Sequence, residues 1–166
     1  MSQASTSEVQ LRAPNTEDGQ RVWQLIKACP PLECNTEYAY LLLCTHFKGT
    51  CAIAELEGEL VGCVLGYTLP ERPEVIFVWQ VGVAEAGRGR GLGKALLKYL
   101  LLQDACREVT WLETTVSPSN TASRKLFEGL ARDLKTDISE EALFSLEHFS
   151  GSEHEEERLL RIGVLR

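Results

Sequence analysis

A chain of 166 residues is long enough for one domain with a buried core of its own. A hydrophobic share of 44% with 25% charged residues excludes a disordered or low-complexity chain. Seventeen basic against 24 acidic side chains give a net charge of -7, which argues against a general nucleic-acid binder and suits a small cationic partner.

Residues 1–7 are polar and read as a loose tail without the apolar core of a signal peptide, and residues 8–166 read as a single domain. Val9 to Arg12 alternates and predicts a first strand. Pro14-Asn15-Thr16 opens a helix, with Thr16 as its expected cap, Val22, Leu25, Ile26 and Cys29 at helical spacing, and Pro30-Pro31 as its stop. Asn35 is the expected cap of a second helix running to about Phe47. Thr50 to Leu56 and Glu59 to Leu69 read as a hairpin turned at Glu57-Gly58. Val75 to Val83 is nearly continuous apolar, the mark of a central strand covered on both faces.

A glycine-rich stretch, Arg88-Gly89-Arg90-Gly91-Leu92-Gly93, precedes a helix expected from Leu92 to about Ala105. Thr110 to Val116 predicts another strand, and Asn120 starts a helix to about Arg132. Residues 133–142 read as polar connection, with closing strands at Leu143 to Phe149 and Arg158 to Leu165 around the acidic run Glu153 to Glu157. The order of elements predicts an α/β domain with a mixed sheet rather than a doubly wound one. No apolar run approaches the roughly 20 residues that span a bilayer. The six cysteines show neither Cys-x-x-Cys nor zinc spacing, so no metal is expected, and unpaired thiols point to the cytoplasm.

The glycine stretch carries the strongest chemical signal. Glycines admit positive φ and close approach of a ligand, and the first turn of a helix offers unpaired N–H groups and a partial positive charge. With Arg88 and Arg90 this makes a phosphate site. It is not a Walker loop, and the even spacing of Gly89, Gly91 and Gly93 does not fit a dinucleotide fingerprint.

Arg88-x-x-Gly91-x-Gly93 resembles the pyrophosphate loop of the GCN5-related N-acetyltransferases, and Asn120-x-x-Ser123-x-x-Leu126-Phe127 resembles that family's second cofactor motif. The resemblance implies a strongly twisted mixed sheet, split by a V-shaped gap between strands ending near Val83 and Val116. Acetyl-CoA would lie in that gap, against Val81, Gly82, Val83, the glycine loop from Arg88 to Gly93, Asn120, Ser123 and Phe127. The segments Cys29 to Asn35, Tyr38 to Leu43, Phe77 to Val81 and Arg161 to Gly163 are similar to the branch of the family that acetylates the 4-amino group of L-2,4-diaminobutyrate on the route to ectoine. That branch implies direct transfer, a small diamine amino acid as substrate and a homodimer. Where the branch is expected to carry Asp, this chain carries Glu33.

Such a reaction needs a neutral amine, a stabilised oxyanion and a leaving thiolate. Glu113, His148 and His154 are the candidate bases, and backbone N–H groups from Val81 to Val83 the candidate oxyanion donors. Phe127 stands where the family often has a tyrosine acid, which leaves Tyr40, Tyr38 and Ser123 as hydroxyls that assist the leaving group. Glu33, Asn35, Tyr38, Trp79, Thr114, Thr115 and His154 are the candidate substrate ligands, and one carboxylate of Glu153 to Glu157 is a candidate to close over the diamine. Two rivals remain: a related acetyltransferase for a polyamine or a protein N-terminus, and a CoA-binding sensor without turnover.

Overall fold

The computed structural model describes residues 8–151 and 153–165, so the expected tail over residues 1–7 lies outside the described residues. Seven strands form one sheet: β1 (Gln10–Arg12), β2 (Cys51–Leu56), β3 (Glu59–Leu69), β4 (Arg72–Val83), β5 (Trp111–Val116), β6 (Asp137–Phe144) and β7 (Glu157–Gly163). Their order is β1-β2-β3-β4-β5-β7-β6, with β4 and β5 parallel and every other pair antiparallel. The apolar run of residues 75–83 therefore is the middle strand. Four helices, α1 (Gly19–Lys27), α2 (Glu37–His46), α3 (Leu92–Leu101) and α4 (Thr121–Asp133), cover the sheet.

The helices sort by face. Leu92, Leu96, Leu97 and Leu100 of α3 and Phe127, Leu130 and Ala131 of α4 pack with Ile76, Val78, Leu112 and Ile162 of the sheet. Val22, Leu25 and Ile26 of α1 and Tyr40 and Cys44 of α2 pack on the other face with Ile53, Cys63 and Leu65. That second cluster draws its buried sheet residues from β2 and β3, so α1 and α2 cover only half of their face. The uncovered half, over β5 and β7, is where a ligand has room.

Several local expectations give way. Asn15, not Thr16, starts the first helical turn: its side chain accepts from Glu17 N–H, and Asp18 reaches back to Asn15 N–H. Thr36 replaces Asn35 as the cap of α2, with its oxygen accepting from Ala39 N–H. The helix expected to reach Ala105 ends at Leu101. The segment read as polar connection contains most of β6, and the strand expected at Leu143 to Phe149 is only the last two residues of β6. β6 is an edge strand exposed along almost its whole length, so it has no apolar face to mark its period.

An ion network ties β1 to α1 and β2. Arg12 binds both oxygens of Asp18, at 2.8 and 2.9 Å, and its Nε lies 2.6 Å from Glu55. Arg21 bridges the same two carboxylates at 3.0 and 3.1 Å. Burial pushes the Asp18 carboxyl up, but Arg12, the Asn15 N–H and Arg21 outweigh it and hold the group below the usual carboxylate range. Arg12 above all holds Glu55 low as well. Groups with depressed folded values stabilise the fold above their unfolded values, near pH 4, and lose that contribution as pH falls through the folded values. Asp18→Asn is therefore expected to cost about 3 kcal/mol at pH 7, the low end for a broken buried pair because both arginines stay partly in water. Denaturant unfolding at pH 7 and at pH 3 checks this: the gap between variant and parent narrows in acid.

Candidate active site

The register between β4 and β5 runs from Val75–Trp111 to Val78–Thr114 and stops there. Beyond it, Trp79 to Val83 have no β5 partner, while Thr115 and Val116 continue along β7. Thr114 marks the parting, since its buried hydroxyl donates to Val78 O at 2.8 Å. The strands open into a cleft of about 510 Å³. Its walls include Leu32 and Glu33 from the α1–α2 loop, Phe77 to Val81 of β4, Thr114 to Val116 of β5, Asn120, Ser123 and Phe127 of the α4 turn, and His154, Glu155 and Glu157 before and in β7.

A bulge in β4 shapes one wall. Gly66 of β3 pairs with Val78 and Leu65 pairs with Gln80, so Trp79 has no opposite number. The extra residue turns the alternation over. Val78 packs with the α3 and α4 side, whereas Trp79 and Gln80 both meet the α1 and α2 side. Trp79 stacks on Tyr40 with ring centroids 6.0 Å apart and also lines the cleft.

The glycine stretch lies where β4 feeds α3. Gly89 and Gly91 have φ of +77° and +68°, and a Cβ on either would meet nothing within 4 Å. Gly91 caps α3 without any side-chain hydrogen bond to the first turn. The first-turn N–H groups of a helix have no intrahelical partner, so this end of α3 can receive an anion beside Arg88 and Arg90. Asn120 caps α4 by accepting from Ser123 N–H at 3.2 Å and also lines the cleft. Among the described residues no cluster of His, Cys, Asp and Glu could hold a metal ion.

Five expected site residues are placed otherwise. Glu113 is 4% exposed, lies outside the cleft lining, and gives both oxygens to Arg72, at 3.0 and 3.2 Å. Arg161 Nε stands 3.6 Å from it, and that guanidinium sits 3.9 Å above the Trp111 ring. With both oxygens engaged, Glu113 is not poised to take a proton from an amine. Tyr40 is fully buried and its hydroxyl is occupied: it donates to Gln80 Oε1 and accepts from Asn35 N–H. Asn35 and the exposed Tyr38 do not line the cleft. The His148 ring accepts from Ser145 N–H at 3.0 Å and stays outside as well. Of the three hydroxyls considered for the leaving group, Ser123 alone lines the cleft.

Glu33 and His154 meet at 3.1 Å across the mouth. The Glu155 carbonyl, 2.6 Å from Nδ1, holds the imidazole above its ordinary value, with Glu33 and Glu157 adding to it. The Glu155 carboxylate accepts from the Ser119 N–H and hydroxyl. Glu157 is different: burial pushes its carboxyl up, against the Thr115 hydroxyl and His154, which pull it down. Sequence reasoning singled out the acidic run but not this member. The only signal in the sequence is that Glu157 heads an apolar strand, so its side chain shares a face with Leu159 and Arg161 of that strand. Gln80, a lone amide inside the apolar run Val75 to Val83, has no other mark in the sequence.

Comparison with known proteins agrees with this architecture. Residues 19–131 match the model of the acetyltransferase (GNAT) family. The chain is 48% identical over 161 residues to L-2,4-diaminobutyric acid acetyltransferase of Bordetella parapertussis, covering 96% of this chain and 87% of that one. It is 45% identical to the enzyme of the same name from Chromohalobacter salexigens, covering 92% and 80%. Among solved structures, a diaminobutyrate acetyltransferase from Paenibacillus lautus, in complex with its substrate L-2,4-diaminobutyric acid and coenzyme A, superposes with a TM-score of 0.92 at 45% identity, covering 95% of this chain and 96% of that one. The ribosomal-protein-S18-alanine N-acetyltransferase of Escherichia coli, at 15% identity and a TM-score of 0.70, shares the fold.

Proposed function

The chain belongs to the acetyltransferase (GNAT) family, and from that premise we propose that it is a diaminobutyrate acetyltransferase, moving acetyl from acetyl-CoA to the 4-amino group of L-2,4-diaminobutyrate. One observation carries the reading furthest: the cleft opened between β4 and β5 is lined by the carboxylates a diamine needs, Glu33 and Glu157. Acetyl-CoA enters as co-substrate, with its pyrophosphate on the Arg88 to Gly93 loop and its pantetheine arm along Val81 to Val83, in contact with Asn120, Ser123 and Phe127.

The 4-amino nitrogen attacks the thioester carbonyl carbon. A C–N bond forms, the C–S bond breaks, and the sulfur leaves as thiolate, a fair leaving group at a thiol pKa of about 8.5. The proton passes from nitrogen to the Glu157 carboxylate, whose desolvation raises its affinity for it. Backbone N–H groups near Val81, free of β5, receive the oxyanion. Glu33 takes the second ammonium, and Trp79 walls the pocket. The 4-amino group is also the less hindered of the two.

Residues 8–166 act as one domain in this reading, in the cytoplasm, where free thiols persist. The described helices include none long and apolar enough to cross a membrane. A homodimer goes with it, and exposed Leu143 and Phe144 at the end of edge strand β6, with Leu146 just after it, give it an apolar surface.

Thiol release from acetyl-CoA tests the whole, with diaminobutyrate beside ornithine, lysine, spermidine and a short peptide. Fast release with diaminobutyrate alone, and NMR of the product showing acetyl on the 4-nitrogen, is the expected result. Preference for another amine removes the substrate assignment, and CoA binding without release from any amine favours a sensor.

A further inference from the structure

We propose that Tyr40 and Gln80 are positioning residues for diamine recognition: together they clamp the Glu33–Asn35 loop to the middle strand and so fix where the Glu33 carboxylate stands. The inference rests on the reading that Glu33 takes an ammonium of the substrate.

Glu33 cannot hold its own place. Its side chain is 77% exposed, and among the described residues its one ion pair is to His154 on another loop. Its location must come from the backbone, and the backbone is held by one buried polar pair. Gln80 Nε2 donates to the Glu33 carbonyl at 2.6 Å. Tyr40 donates its hydroxyl proton to Gln80 Oε1 at 3.0 Å and accepts from the Asn35 N–H at 3.2 Å. The residues on either side of Cys34 are thus gripped by the two ends of a single hydrogen-bonded chain. Tyr40 is 0% and Gln80 5% exposed, so water does not compete for these bonds.

The clamp depends on the bulge in β4. With a regular strand, Gln80 would share the face of Val78 and meet α3 and α4. The extra residue at Trp79 turns it toward α2 instead. Trp79, which the bulge leaves on the same face as Gln80, stacks on the Tyr40 ring, so the pocket wall and the loop carrying Glu33 meet at one tyrosine. A purely structural polar pair would support the fold without regard to the diamine. A positioning pair acts on diamine binding and only through Glu33.

Steady-state kinetics on Tyr40→Phe, Gln80→Met, Glu33→Gln and the double variants separate these roles. Tyr40→Phe and Gln80→Met are each expected to raise KM for diaminobutyrate about tenfold, with KM for acetyl-CoA unchanged. Each is also expected to narrow the preference for diaminobutyrate over 4-aminobutyrate, which lacks the second ammonium. In the Glu33→Gln background, adding either substitution is expected to change KM for the diamine by less than about twofold. Equal rises in both KM values, or full additivity with Glu33→Gln, overturn the proposal. A Glu33→Gln variant with unchanged KM removes the reading of Glu33 and this inference with it. A Glu33→Gln defect without one in Tyr40→Phe or Gln80→Met removes the clamp alone. Should Tyr40→Phe fail to fold, Gln80→Met, nearly isosteric and still buried, carries the same test.

Discussion

Glu157→Gln is expected to lower kcat by about a hundredfold to ten-thousandfold, with KM for acetyl-CoA nearly unchanged. The amide keeps the size of the side chain and its bond to the Thr115 hydroxyl but cannot take a proton at neutral pH. Of the other acids, Glu153 also lines the cleft but is exposed, and the rest are committed elsewhere. Glu155 is bound by Ser119, Glu33 is exposed and paired with His154, and Glu113 is locked by Arg72 outside the lining. Glu157 combines a place in the lining with burial that pushes its carboxyl above the usual range. A base works only when deprotonated, so kcat/KM of the parent should fall on the acid side at a pH above the ordinary glutamate value near 4.3. In Glu157→Gln that limb is expected to vanish while the residual rate stays flat. A variant with raised KM for the diamine but intact kcat would make Glu157 a binding carboxylate and end its assignment as base.

The middle strand, the glycine turn before α3 and the start of α4 at Asn120 were legible in the sequence because each has a local cause. A strand covered on both faces must be continuously apolar, and a loop that approaches a ligand must use glycine. The two helical faces of α1 and α3 follow from apolar spacing alone. β6 was not legible, because an edge strand exposed on both faces carries no period to read. What engages Glu113 and Tyr40 is not legible for another reason. Their positions along the chain were right for a site, but what engages a carboxylate or a hydroxyl is decided by residues far away: Arg72 lies 41 positions from Glu113, and Gln80 lies 40 from Tyr40. The bulge that turns Trp79 and Gln80 to one face leaves no mark in an apolar run either. Pairing partners are a property of the folded sheet, and one sequence does not display them.

Gly91→Val is expected to raise KM for acetyl-CoA at least about a hundredfold while the chain still folds. Two effects combine. At φ of +68° a β-branched residue is strained by about 1–2 kcal/mol, so the backbone at the start of α3 shifts away from its present path. The space around a Cβ there is empty, and in the proposed complex that space holds the pyrophosphate, so the new methyl groups meet the ligand rather than the protein. A loss of binding from strain alone has to be separated from a loss through the site. Gly58, in the β2–β3 turn at φ of +81°, is also surrounded by nothing within 4 Å and does not belong to the loop that starts α3. Gly58→Val therefore carries the same backbone strain without touching the loop. Both variants are expected to melt a few degrees below the parent. Only Gly91→Val is expected to lose acetyl-CoA, measured both as KM and as direct CoA binding by calorimetry. Unchanged CoA affinity in a folded Gly91→Val would move the pyrophosphate away from the N-terminus of α3. Equal losses in the two variants would assign the effect to strain alone.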